Sequence, residues 1–177
     1  NMGAEIDIMA PGENSLVANN NGGYNVYFGS ATSYATPVVS GVLALVRGRY
    51  PNLTALQAQE FTRQSVDDIT AQNEQWATMV RGRVNALKAM TVDPMSIPGI
   101  KPIKLNFLNQ SSVNIDRLTS TEEVYLEIDA FNYLGSAKNL KFILSMAYDF
   151  SQSIQIIDPI VIIDNVYSNA TLNISRF

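Results

Sequence analysis

The hydrophobic pattern of the chain changes period across residues 91–102, and that change limits the folds open to it. The stretch TVDPMSIPGIKP holds three prolines and a glycine among few charges. Proline supplies no backbone donor and cannot continue a helix, so the helical pattern before it ends there and the stretch reads as a linker. Beyond it lie short β-type runs at 103–108 (IKLNFL), 123–134 (EVYLEIDAFNYL), 139–148 (NLKFILSMAY), 153–157 (SIQII), 160–163 (IVII) and 171–175 (TLNIS). Their spacing and turn signals predict an antiparallel sandwich, with an edge strand beside Pro159. A chain of 177 residues with 46% hydrophobic content can support two small cores. We expect a helix-rich part over 1–92, a linker over 93–102 and an all-β part over 103–177 that is truncated by a last strand or two.

In the first part, residues 28–50 (FGSATSYATPVVSGVLALVRGRY) run from a Gly/Ser/Thr turn into an apolar helical segment. Ala35, Val38, Val39, Val42, Leu43, Ala44, Leu45 and Val46 leave no polar stripe before Arg47, which predicts a helix buried on most sides. Thr32 suits the N-cap, and Pro37 deprives the Ser33 carbonyl of its usual intrahelical donor. Ser33 thus falls at a distorted helix entrance. There the free N–H groups and the helix dipole favour negative charge, including that of an oxyanion. Thr32 and Ser33 as capping residues and nothing more is the other reading of the same pattern.

Around this helix, residues 4–9 alternate and stop at Pro11-Gly12, which predicts a strand. Residues 14–23 read as loop and 24–28 (YNVYF) as a second strand, giving the order strand, tight turn, buried helix that presents a nucleophile. Thr54 and Gln57 have capping-box spacing before an amphipathic helix of about three turns built on Leu56, Phe61 and Val66. Asp67-Asp68 reads as a solvated helix terminus rather than a cation site. Residues 82–90, with Val84, Leu87 and Met90 at helical spacing, predict a short packing helix.

Charge and composition exclude several functions. The net charge of −4 divides evenly, with six basic and eight acidic residues in 1–95 and the same in 96–177, so neither half offers a basic surface for nucleic acid. No cysteine is present for disulfides or thiolate metal sites, and no apolar run reaches the roughly 20 residues needed to span a bilayer. With no dense Asp-x-Asp cluster we expect no metal site and no cofactor. Tyr125, Phe131, Tyr133, Phe142 and Tyr148 mostly sit at strand spacing and read as core, and the single tryptophan, Trp76, lies in the first part. Sequons occur at Asn52, Asn109, Asn169 and Asn173.

Residues 31–41 (ATSYATPVVSG) resemble the serine-nucleophile signature of the subtilisin-like serine proteases, Gly-Thr-Ser-x-Ala-x-Pro followed by an apolar helix with a glycine. Thr32, Ser33, Ala35, Pro37 and Gly41 match; Ala31 replaces the usual glycine, and Tyr34 and Val38 stand where methionine and histidine are frequent. The flanking blocks EIDIMAPGENSLVA, YNVYFGS, YPNLTALQAQEFTRQSVDDI and GRVNALKAM resemble the family's segments in the same order, so the resemblance covers roughly residues 3–91. Residues 130–174 resemble, more loosely, the Ig-like domains appended to secreted bacterial proteases. The resemblance implies an α/β fold, here the incomplete C-terminal portion of a subtilisin-like domain, plus an all-β Ig-like sandwich.

It further implies a secreted or cell-surface endopeptidase acting on proteins or peptides through an acyl-enzyme on Ser33. Thr32 would support the oxyanion hole, and Gly29, Ser30 and Tyr34 would line the leaving-group side of the cleft. In this family a histidine held by an aspartate activates the serine. The chain contains no histidine, so the implied partner is a missing N-terminal part of the same protease domain, and the chain alone should be inactive. Lys88, the sole lysine before the linker, is a conceivable substitute base. Two alternatives differ in class: a catalytically dead subtilisin-like binding module, and an adhesion or carbohydrate-binding protein whose β-domain is the functional part.

Overall fold

The hairpin that precedes the helix is longer than the sequence suggests. In the computed structural model, which describes residues 6–74, 81–117, 123–145 and 155–175, β1 (Glu13–Asn19) pairs antiparallel with β2 (Gly23–Ser30). Residues 14–23, expected as loop, thus contain most of a strand. The turn forms because the Asn19 side-chain oxygen accepts from the N–H groups of Asn21 and Gly23 (2.9 and 3.2 Å), while Gly22 takes the positive φ of 79° that a side chain would resist. The expected strand over 4–9 is absent from residues 6–8, and residues 4 and 5 lie outside the described set. Met9 alone bridges Arg83, exchanging hydrogen bonds with Gly82 and Val84 (2.9 and 2.8 Å).

Helix α1 (Thr32–Arg49) follows β2 after one residue. It packs against α2 (Ala55–Gln64), α3 (Ala86–Thr91) and β1, burying Val42 and Val46. The expectation of a helix buried on most sides fails: Val38 and Leu45 are 38% and 49% exposed. Its neighbours among the described residues cover one face, and an apolar sequence buries only what a second element meets.

The capping box of α2 forms in both directions, Thr54 accepting from the Gln57 N–H (3.2 Å) and Gln57 from the Thr54 N–H (2.9 Å). Its buried face is Ala58, Phe61, Thr62 and the following Ser65, whose hydroxyls donate to the carbonyls four residues back. Leu56 is exposed and Val66 lies beyond the helix, correcting the expected apolar stripe. Residues five apart sit about 140° apart around a helix, so Leu56 and Phe61 cannot share a face. Glu60 is also buried, held by Arg63 (2.7 Å) and Gln64 (2.9 Å), and Arg63 reaches Asp7 (2.8 Å). The Tyr50 ring meets Phe61 edge-on at 5.6 Å, and its hydroxyl donates to the Val92 carbonyl (2.8 Å).

Two short strands, β3 (Val66–Asp67) and β4 (Arg83–Val84), close the segment after α2. The helix expected over 82–90 therefore begins later, at Ala86, capped by the Asn85 side chain on the Lys88 N–H (3.0 Å). Residues 83 and 84 are committed to the ladder instead. Asp67 is part of that strand and not a solvated helix end. Asn85 (2.8 Å), Lys88 (3.1 Å) and Arg83 (3.3 Å) all reach its carboxylate. Trp76 lies outside the described residues.

The chain divides into two compact units, Asn1–Val92 and Asp93–Phe177. Residues 93–102 are built into the second: the Asp93 carboxylate accepts from Met95 N–H (2.9 Å) across a 3-10 turn, Pro94–Ser96, and β5 (Ile100–Leu108) starts at Ile100. β6 (Tyr125–Asn132) lies between β5 and β9 (Ala170–Ser175) in an antiparallel sheet. β7 (Ala137–Ile143) and β8 (Ile160–Val166) form a second antiparallel pair. Both sheets contribute to one apolar cluster, in which buried Ala130, Val166, Leu172 and Ile174 pack with Ile100, Ile128, Leu140, Phe142, Val161 and Ile163. The Leu144 N–H donates to Pro159 O (2.8 Å), and Pro159 stands directly before β8, which among the described residues is an edge strand paired with β7. Residues 155–157 are not a strand, and residues 146–154, including Tyr148, lie outside the described residues.

At the end of β6 the side chain of Asn132, fully buried, accepts from Gly99 N–H (2.9 Å) and donates to the carbonyls of Gly135 (2.8 Å) and Tyr167 (3.0 Å). One amide thus ties three chain segments of the second unit together, satisfying backbone groups that no ladder reaches.

Candidate active site

Ser33 is exposed and is the second residue of α1. The N-cap is Ala31, extended at φ −153° and ψ 139°, and Thr32 is the first helical residue, not the cap as its side chain suggested. The shift has a backbone cause. Ala31 N–H donates to Gly12 O (3.0 Å) and Ala31 O accepts from Tyr34 N–H (3.1 Å), so the helix ladder starts from residue 31 without a capping side chain. An N–H at the second position of a helix has no intrahelical acceptor, and that of Ser33 is therefore available to an anion beside its own hydroxyl. No hydrogen-bond partner for the Ser33 hydroxyl is present among the described residues.

The neighbouring candidates are drawn together by the strand-to-helix turn. Gly29 and Ser30 end β2, with Ser30 opposite Glu13 in the ladder. Thr32 is exposed, and its carbonyl accepts from the Thr36 hydroxyl (3.1 Å). Pro37, inside the helix, can donate nothing to Ser33 O. Tyr34 is half-buried, its ring 4.6 Å from that of Tyr27. Lys88 is not placed to serve Ser33, because its ammonium is held by Asp67 (3.1 Å) and the Val66 carbonyl (2.8 Å).

The same network acts on Asp67. Hydrogen bonds from Asn85 and then Lys88 stabilise its carboxylate and lower its pKa from 3.8 to about 2. Asp68 is lowered by hydrogen bonds from Thr70, whose N–H it accepts at 2.8 Å. Both acids have structural partners in the chain. No group of three or more His, Cys, Asp or Glu suited to a metal occurs among the described residues, and no helix among them is long and apolar enough to cross a membrane.

Sequence reasoning missed two members of this site. The sequence marks Tyr27 only as part of a strand and Gly12 only as a turn residue. The signal for Gly12 was present in Pro11-Gly12, but the contact that gives it meaning is to Ala31.

Residues 1–85, which include residues 29–34 and Gly12, match the model of the Subtilase family, Peptidase_S8. Among curated proteins, the halolysin-like extracellular serine protease Nep of Natrialba magadii is 35% identical over 94 residues, 53% of this chain and 16% of its own length. Halolysin of Haloferax mediterranei is 38% identical over 95 residues, 53% of this chain and 17% of its own. Mycosin-4 of Mycobacterium tuberculosis is 44% identical over 70 residues, 39% and 14% respectively. The chain thus spans about a sixth of the length of these relatives. No solved structure matches it significantly.

Proposed function

We propose that the chain is a C-terminal part of a secreted subtilisin-like serine endopeptidase, with Ser33 as its nucleophile and an Ig-like β-sandwich over 103–177. The observation that carries the reading is the exposed Ser33 hydroxyl at the second position of α1, directly after the strand-to-helix turn and inside the matched region. Ser33 attacks the peptide carbonyl, its N–H donates to the resulting oxyanion, and Thr32 supports that hole. Gly29, Ser30 and Tyr34 line the leaving-group side. An alcohol is a weak nucleophile near neutral pH and this chain has no histidine, so the base and its orienting carboxylate come from a preceding part of the same domain. Secretion rests on likeness to relatives, one of which is named an extracellular protease.

The test uses the full-length gene product that contains this chain, assayed on a fluorogenic peptide with and without Ser33→Ala. The substitution should lower turnover on the order of 10³-fold or more and abolish labelling by a fluorophosphonate. Wild-type turnover in Ser33→Ala would show that Ser33 only begins a helix. A wild-type protein that is folded yet inert would favour the binding-module reading instead.

A further inference from the structure

We infer that Gly12 is a positioning residue for Ser33, an inference that rests on the reading of Ser33 as nucleophile. A Cβ on Gly12 would lie 2.6 Å from the Ala31 carbonyl oxygen, 3.3 Å from Ala35 Cβ and 3.4 Å from Ala35 N. The first contact is with backbone, which cannot turn aside as the tip of a side chain can. The Gly12 carbonyl also accepts from Ala31 N–H at 3.0 Å, while Ala31 O accepts from Tyr34 N–H at 3.1 Å. The Ala31 residue is therefore clamped on both of its polar groups, with Gly12 pressed against the carbonyl that opens the helix. Ser33 follows two residues later on the same rigid turn. A shift of the Ala31 carbonyl would carry the backbone of Ser33, its N–H and its Cβ with it, and Gly12 has no side chain to force that shift.

The consequence is specific to the chemical step. Adding one methyl at position 12 shifts the Ala31 carbonyl, and with it the line of attack and the oxyanion donor. Misplacing a reacting group by about 1 Å can cost on the order of 10²-fold in rate. Gly12 does not touch substrate; it acts through Ala31.

The experiment is steady-state peptide hydrolysis by the full-length protein carrying Gly12→Ala, Ala35→Val, Gly48→Ala or Ser33→Ala, with a thermal melt of each. Ala35→Val presses on Gly12 from the helix side, and Gly48 has open space around it and serves as the control. Gly12→Ala should lower kcat about 10- to 100-fold with KM changed less than about threefold. The rate of Ser33 fluorophosphonate labelling should fall in proportion, and Gly48→Ala should behave as wild type. Unchanged kcat in Gly12→Ala, with Ser33→Ala inactive, overturns the inference and leaves the nucleophile intact. A rise in KM at constant kcat also overturns it. If Gly12→Ala does not melt cooperatively, Ala35→Val decides on the same kcat criterion. Full activity in Ser33→Ala removes the nucleophile reading itself.

Discussion

Tyr27 near the end of β2 and Tyr34 in the first turn of α1 bring their rings within 4.6 Å, tilted by 35°. Seven residues apart in sequence, they close the turn that carries Ser33 with an aromatic contact. A double-mutant cycle with Tyr27→Ala and Tyr34→Ala, read by urea denaturation, should give a coupling of about 1 kcal/mol. Additive single effects would mean that the rings merely coincide.

The reciprocal bonds of Thr54 and Gln57 at the start of α2 predict a cap of ordinary strength. Thr54→Ala should destabilise the first unit by about 1 kcal/mol, and Thr54→Ser should be nearly silent because it retains the acceptor. Chemical denaturation of the whole chain measures both.

Asp67 sets an acid limit on the β3–β4 ladder. Its carboxyl titrates near 2 in the folded chain, below the ordinary 3.8, because Asn85 and Lys88 hold the charged form. The unfolded chain therefore takes up the proton first as pH falls. The stabilisation is complete above about pH 4 and is lost as pH drops toward 2. A carbon-detected NMR titration of the Asp67 carboxyl should show a midpoint near 2. Asp67→Asn should remove the corresponding decline in melting temperature. A midpoint near 4 in the folded chain would refute the account.

Asn132 is a fully buried polar residue of the second unit whose side chain bonds three backbone groups. Asn132→Leu leaves the Gly99 N–H and the carbonyls of Gly135 and Tyr167 without it, at a cost of about 3 kcal/mol or more. Asn132→Asp should fare no better, since a carboxylate cannot donate to two carbonyls. Urea denaturation followed by tyrosine fluorescence distinguishes these losses from the few tenths expected at an exposed asparagine such as Asn165.

What the sequence made legible is what local chemistry decides. The Thr54–Gln57 cap spans three residues, the aromatic and β-branched run YNVYF within β2 marks a strand by its own composition, and the placement of Ser33 at a helix entrance follows from the Gly/Ser/Thr turn and Pro37. Burial was less legible. Val38 and Leu45 look like core in α1, yet exposure depends on which elements arrive opposite them. β1 was hidden because its short apolar run sits between asparagines and becomes a strand by pairing with β2. Gly12 and Asn132 escaped for a related reason: their roles arise from partners 19 and 33 residues away, Ala31 and Gly99.

The place of β6 in its sheet carries a kinetic meaning. On one side it pairs with β5, which precedes it. On the other it pairs with β9, whose Asn173 side chain bonds Asp129 across 44 residues and Glu127 across 46. Such pairings must close a long loop before any contact repays the lost entropy, so the second unit should fold slowly, on the millisecond-to-second scale of β-rich domains. During synthesis, β6 keeps one unpaired margin until Ala170–Ser175 has left the ribosome. Through that interval it is open to pairing with any other extended segment nearby.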